Sequence, residues 1–204
     1  QARVPPPPAL LAHPDLTLLA GTPPLTRWLE NLTRRPVIHC GLHVADRFFY
    51  AGAFKQPNTM TLLPGCDPQR ADSIRTRNPD LVLIPPESST ESEMADRLQR
   101  SEYGLAPAGE SGNGLFLLEA LAAGCVILKP AESEAPEDDP LDIPLETAEP
   151  DRLGERLAWL RAPDQSLHRA RRREEALGAA WNYRRRLHRR RLETLLEGPL
   201  AFWR

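Results

Sequence analysis

Apolar positions along the chain fall into short blocks whose spacing changes from region to region, and the changes outline the elements. Residues 1–24 carry Pro5 to Pro8 in a row together with Pro14, Pro23 and Pro24. That density excludes a continuous helix and predicts an extended arm or linker. Leu25, Trp28, Leu29 and Leu32 then recur at helical spacing before Pro36, which predicts one short amphipathic helix over 25–35. Beyond it the period shortens. Val37-Ile38-His39-Cys40, Phe48-Phe49-Tyr50-Ala51 and Thr61-Leu62-Leu63 are compact apolar runs closed by Gly41, Gly52 and Pro64-Gly65, the pattern of buried strands.

From residue 68 onward helices and strands alternate. The pattern predicts a helix over 68–76, a strand Leu81–Ile84 ended by Pro85-Pro86, and a helix from Ser89 to Arg100. Ser89-Thr90-Glu91-Ser92-Glu93 supplies that helix with capping side chains and acids for its positive end. A strand Tyr103–Ala106, a helix Asn113–Ala123, a strand Cys125–Leu128 and a last strand Leu141–Leu145 complete the series. Strands apolar on both faces, separated by helices of about ten residues, indicate a parallel sheet covered on both sides. The expected fold is therefore α/β, a Rossmann-like layer. The expected division is an arm over 1–24, a reduced amino-terminal α/β part over 25–66, and a Rossmann-like domain with closing helices over 67–204.

Composition narrows the function classes. A chain of 204 residues has room for a real core in one large or two small domains. Its longest apolar runs, such as Leu115 to Ala123, are too short to span a membrane. A formal charge of −2 argues against nucleic acid as the dominant partner. Three cysteines, Cys40, Cys66 and Cys125, lack metal-type spacing and cannot all pair within the chain, which points to a reduced, cytoplasmic setting. The chain opens on Gln1 with no signal segment after it, so an upstream portion missing or removed is the expectation. Charge is uneven: 131–151 holds nine acids and no base, and 169–191 holds ten arginines. Within the basic part Leu177, Trp181, His188, Leu192 and Leu195 follow helical spacing. Two readings of this helix stand: a solvated helix packed by its apolar stripe, or peripheral contact with a polyanion, an anionic membrane surface or nucleic acid. Lysine is nearly absent, with Lys55 and Lys129 set against 24 arginines, a bias attributed to a GC-rich coding sequence.

The segment richest in chemistry runs from Pro107 to Leu128. A strand feeds the turn Gly109-Glu110-Ser111-Gly112-Asn113-Gly114, and the turn opens a helix at the carboxyl edge of the expected sheet. Free backbone N–H groups and the positive dipole end suit a phosphate there, while Gly112 and Gly114 let a ligand approach the backbone. Glu119, about one and a half turns further on, is placed to accept hydrogen bonds from ribose hydroxyls. Glycines kept only for a tight turn and close packing are the alternative.

The string Gly112-Asn113-Gly114-Leu115, followed by Glu119-Ala120-Leu121-Ala122-Ala123-Gly124, resembles the donor-binding segment of GT-B glycosyltransferases of the group-one, retaining kind. The resemblance covers 101–197: Glu149 to Leu153 and Leu157 to Leu160 resemble the family helix after the last strand, and Leu177 to Tyr183 the closing helix with its Trp. Ser101 to Lys129 also resembles exostosin-type glycosyltransferases, with Phe116 where that group carries an Arg. The GT-B resemblance implies that Glu119 holds the donor ribose and that Gly112, Asn113, Gly114 and Leu115 hold the diphosphate. It places Glu110 or Ser111 at the sugar, because Glu110 and Glu119 stand one residue further apart than the family pattern. Phe48 to Lys55 resembles the first strand and loop of the same domain, which makes Lys55 the candidate cation for the diphosphate.

Chemistry of this kind stabilises a leaving diphosphate by electrostatics and needs no metal or other cofactor beyond the nucleotide sugar itself. His39 and His43 are candidates for an acceptor base, for a His-Cys-His metal site that lacks a fourth ligand, or for plain packing. The expected activity is glycosyl transfer from a nucleotide sugar to a glycan, lipid-linked or protein acceptor. A non-catalytic relative that binds a nucleotide sugar or serves as a partner subunit is the first alternative. An unrelated α/β nucleotide-binding domain is the second, and the missing Gly-Lys-Ser/Thr motif argues against ATP hydrolysis for it.

Overall fold

Five strands pair in parallel in the order β4-β3-β5-β6-β7 and form the sheet on which everything else is arranged. They are β3 (Gln56–Leu62), β4 (Val82–Ile84), β5 (Ser101–Leu105), β6 (Val126–Pro130) and β7 (Glu146–Ala148). The computed structural model describes residues 18–21, 23–39, 42–85, 90–108, 114–131 and 145–197. They pack as two compact units, one running from Val44 to Arg184 and holding the five-stranded sheet, the other drawn from Gln1–His43 and Arg185–Arg204. β3 lies inside the five-stranded sheet, with the strands and helices after it.

Helices cover both faces of that sheet. On one face α2 (Pro68–Arg77) and α5 (Leu153–Arg161) bring Ala71, Ile74, Leu153, Leu157 and Leu160 against Met60, Leu62, Tyr103, Leu105, Val126 and Leu128. The other face carries α3 (Glu91–Arg100), α4 (Gly114–Ala122) and α6 (Ser166–Trp181). Gly104 lets α4 come close: a Cβ there would stand 2.7 Å from Ile127 Cδ1 and 3.9 Å from Ala120 Cβ. Local chemistry sets the helix starts. Asp67 accepts the Gln69 N–H at 2.9 Å ahead of Pro68. Thr90 and Glu93 form a reciprocal capping box, one residue after the predicted Ser89.

Three expectations change. Phe48–Ala51 is not a strand: a 3-10 turn covers Asp46–Phe48, Phe48 is buried, and the Tyr50 N–H donates to Ala122 O at 2.8 Å. The real strand begins at Gln56, inside a polar stretch, and the ladder to β5 jumps from Gln56 to Met60 where Pro57 can donate nothing. The arginine-rich stretch 169–191 is not one helix. It breaks at Asn182–Arg184, where Tyr183 O accepts the Val44 N–H at 2.8 Å, and α7 (Arg185–Glu197) comes next. Trp181 is consequently 54% exposed, and Ala176 and Ala180 make the buried seam of α6. The last strand lies at Glu146–Ala148; residues 141–144 of the predicted Leu141–Leu145 fall outside the described residues.

The second unit contains a two-stranded parallel pair, β1 (Leu18–Ala20) and β2 (Val37–His39), joined by α1 (Pro23–Thr33). Leu29 of α1 packs on Ala20 and Val37, so part of the predicted arm is a strand. No helix among the described residues is long and apolar enough to cross a membrane.

Candidate functional site

In an open parallel sheet the place to look for a ligand is set by connectivity. From β3 the chain runs through α2 on one face to β4; it then returns through α3 on the opposite face to β5, on the other side of β3. The connections diverge between β3 and β5, which makes the carboxyl ends of those two strands the place where sheets of this kind take ligands. Around it stand the turn Leu63–Asp67, the exit of β5 at Ala106–Ala108, and the amino ends of α2 and α4. The Leu63 N–H donates to Leu105 O at 2.9 Å and the Cys66 thiol to the same oxygen at 2.9 Å, tying the two exits together.

Gly114 and Leu115 form the first turn of α4, which carries no acidic side chain to oppose its positive end. Glu119 lies further along the same helix, 7% exposed. Its Oε2 is fully buried and has no hydrogen-bond partner among the described residues. Burial, reinforced by the nearby negative charge of Glu91 at the amino end of α3, pushes its carboxyl up to about 7. A buried carboxylate oxygen without a donor is costly unless something supplies one. Glu110, Ser111, Gly112 and Asn113 lie outside the described residues.

The structure does not bring Lys55 to this edge. Lys55 immediately precedes β3, at the amino end of the sheet, and its ammonium donates to Leu98 O at 2.9 Å and Ser101 O at 2.7 Å, with Cys125 Sγ at 3.7 Å. Burial lowers its affinity for a proton. A cleft of about 410 Å³ opens beside it, lined by Tyr50, Gly52, Ala53, Phe54, Glu102 and Arg173. Arg173 there is held by both oxygens of Glu102 at 2.7 Å, so the positive charges of this cleft are already engaged.

The remaining candidates are dispersed. His43 is exposed and stacks on His188 of α7, with ring centroids 4.9 Å apart; the side chain of His39 is not among those described. No group of three His, Cys, Asp or Glu side chains that could hold a metal occurs among the described residues. Every arginine of α6 has a partner: Arg169 on Ala162 O, Arg171 on Glu175, Arg172 on Glu146 and Glu175, Arg173 on Glu102. One further residue carries no motif that marks it in the sequence. Lys129 ends its side of β6 at the carboxyl edge, and its rarity among 24 arginines was the available signal.

No family model and no curated protein matches the sequence. Solved structures do match in fold, and they are GT-B glycosyltransferases. The GtfA/B complex aligns with a TM-score of 0.56 at 16% identity, over 88% of this chain and 44% of that one. The pneumococcal O-GlcNAc transferase GtfA, solved with UDP and GlcNAc, aligns at 0.54 and 14%, over 88% and 44%. TarM aligns at 0.53 and 12%, over 89% and 43%. The chain thus spans under half the length of these solved chains. The expected α/β, Rossmann-like parallel sheet with helices on both faces is present, and the exostosin-type resemblance finds no support in these alignments.

Proposed function

We propose that the chain binds a nucleotide-diphosphate sugar at the carboxyl ends of β3 and β5 and transfers the sugar to a glycan or other acceptor. The observation that carries this reading is the buried, unpartnered oxygen of Glu119, set behind a glycine-initiated helix at the topological switch point. Ribose hydroxyls are donors that would complete that oxygen, and the N–H groups of Gly114 and Leu115 face outward from the helix start for a phosphate. A relative in fold, GtfA, was solved with UDP and GlcNAc, which supports the ligand class. In this reading Gly112 and Asn113 extend the phosphate cradle and Glu110 or Ser111 stands at the sugar. As the glycosidic bond breaks, the diphosphate gains charge, and helix N–H groups stabilise it more than they stabilise the intact donor.

A binding or partner subunit without transfer of its own is the second reading, favoured by the extra residue between Glu110 and Glu119 relative to the family pattern. One experiment addresses both. Thermal unfolding is followed with UDP, GDP, ADP, CMP and their sugars, for the wild type and Glu119→Ala. A ligand that binds only the native state must raise Tm. The expected result is a rise with one nucleotide, abolished in the variant. Release of that nucleotide from its sugar when acceptors are supplied then separates transfer from binding. A folded wild type that responds to no nucleotide overturns the proposal.

A further inference from the structure

We propose that Lys129 is the phosphate-binding cation of this site, contacting the diphosphate of a nucleotide held at the amino end of α4; this rests on the nucleotide reading and deepens it. Placement comes from strand geometry. In β6 the side chains of Val126 and Leu128 enter the core against α5, so the alternate positions Ile127 and Lys129 face the side of the sheet that α4 covers. Ile127 confirms that side, since its Cδ1 lies where a Cβ on Gly104 would stand, next to Ala120 of α4. Lys129 is two residues further along the same face, at the carboxyl edge. It is half-buried, where Val126, Ile127 and Leu128 are fully covered.

Register then sets what lies beside it. Leu105 of β5 pairs with Leu128, and the Ala106 N–H donates to Leu128 O at 2.8 Å. Lys129 therefore stands level with the point where the chain leaves β5 toward α4. Adjacent strands are about 4.8 Å apart, so a lysine at the exit of β6 reaches the space above the exit of β5. Its stem can lie along the apolar face with the ammonium at the edge.

Charge makes the same case. The first turn of α4 has no acid, so its positive end and a cation on the same sheet face act together on an anion. Glu119 supplies the opposite chemistry on that face: an acceptor for neutral hydroxyl donors, buried and unpartnered at Oε2. A ligand that satisfies both carries a phosphate and hydroxyls in one molecule, as a nucleoside diphosphate does. The other lysine, Lys55, lies at the opposite, amino edge of the sheet, on Leu98 O and Ser101 O.

The test is calorimetric titration of the full chain with UDP, GDP and ADP and with the matching nucleosides, in the wild type, Lys129→Gln, Lys129→Arg, Glu119→Ala and Arg75→Ala. Arg75 is an exposed cation at the far end of α2, so its loss controls for net charge. Removing one charge-assisted contact weakens diphosphate binding about tenfold. That loss is expected in Lys129→Gln, with partial recovery in Lys129→Arg, unchanged nucleoside affinity and a shallower salt dependence. Diphosphate binding that is lost in Glu119→Ala but equal in Lys129→Gln, wild type and Arg75→Ala overturns the role of Lys129 and leaves the nucleotide reading standing. A wild type that binds none of the nucleotides overturns both.

Discussion

Two buried carboxyl groups respond to pH in opposite directions, and each gives a test at the scale of a single residue. Glu119 titrates near 7 in the folded chain against 4.5 when free, so between those values the folded state holds the extra proton. Stability from this group is complete below about 4.5 and falls as pH rises through about 7, by roughly 3 kcal/mol in total. Glu119→Gln keeps the shape without the charge; its stability relative to wild type should climb across that window and reach roughly 3 kcal/mol by pH 8. Urea unfolding at pH 5 and pH 8 checks this, and an equal difference at both values would sink it. Glu146 behaves oppositely. Burial alone would raise its carboxyl, but hydrogen bonds from Arg156, His168 and Arg172 outweigh it and hold the group below 4.5. Its contribution is present above 4.5 and lost as pH falls through the folded value. Glu146→Gln should destabilise by about 3–5 kcal/mol at neutral pH, and that deficit should shrink in acid. The motif names Glu119 in the sequence, and what the structure adds is its burial on α4. Lys55 was misplaced for a physical reason: taking Phe48–Ala51 as a strand puts Lys55 after a strand end, at the carboxyl edge, whereas it precedes β3.

Elements were readable where periodicity and capping agreed. The helices α2 and α3 and the strands β4, β5 and β6 lie within two residues of their expected ends because Asp67-Pro68, Thr90 and Glu93, and the apolar runs mark them. Of β3 only the carboxyl end was marked, by Thr61-Leu62-Leu63; Gln56, Pro57, Asn58 and Thr59 carry no apolar alternation, and pairing with β4 and β5 makes them strand. The break between α6 and α7 was hidden too, because Asn182 and Tyr183 interrupt no periodic pattern, and the backbone bond from Val44 is made by a residue far away in sequence. One contact sets how closely α4 lies on the sheet. Gly104→Ala would place a methyl group 2.7 Å from Ile127 Cδ1, which must shift. The expected loss is about 1–3 kcal/mol, recovered in part by Ile127→Val in the same chain. Chemical denaturation of the two variants decides it: a Gly104→Ala protein as stable as wild type would show that α4 stands further off than the structure has it.

The whole molecule divides so that the proposed chemistry lies in one unit. Residues 44–184 hold all five strands of the large sheet, the core between α2, α5 and the sheet, and both Glu119 and Lys129. The ends of this unit meet: Val44 and Arg184 form a parallel bridge, the Val44 N–H donates to Tyr183 O at 2.8 Å, and Arg184 pairs with Asp46 at 2.8 Å. Excision at 44 and 184 therefore cuts two neighbouring points and leaves the ladder and both helical faces whole, which is how a domain capable of independent folding is bounded. The fragment 44–184 should unfold in a single cooperative transition and should give the same nucleotide-dependent rise in Tm as the full chain, within about threefold in affinity. If the fragment folds but has lost that response while the full chain keeps it, part of the binding surface belongs to Gln1–His43 or Arg185–Arg204. If it does not fold, the sheet depends on those segments for its stability, and the two units are one cooperative structure. Either result would fix which part of the chain must be present before transfer to any acceptor is assayed.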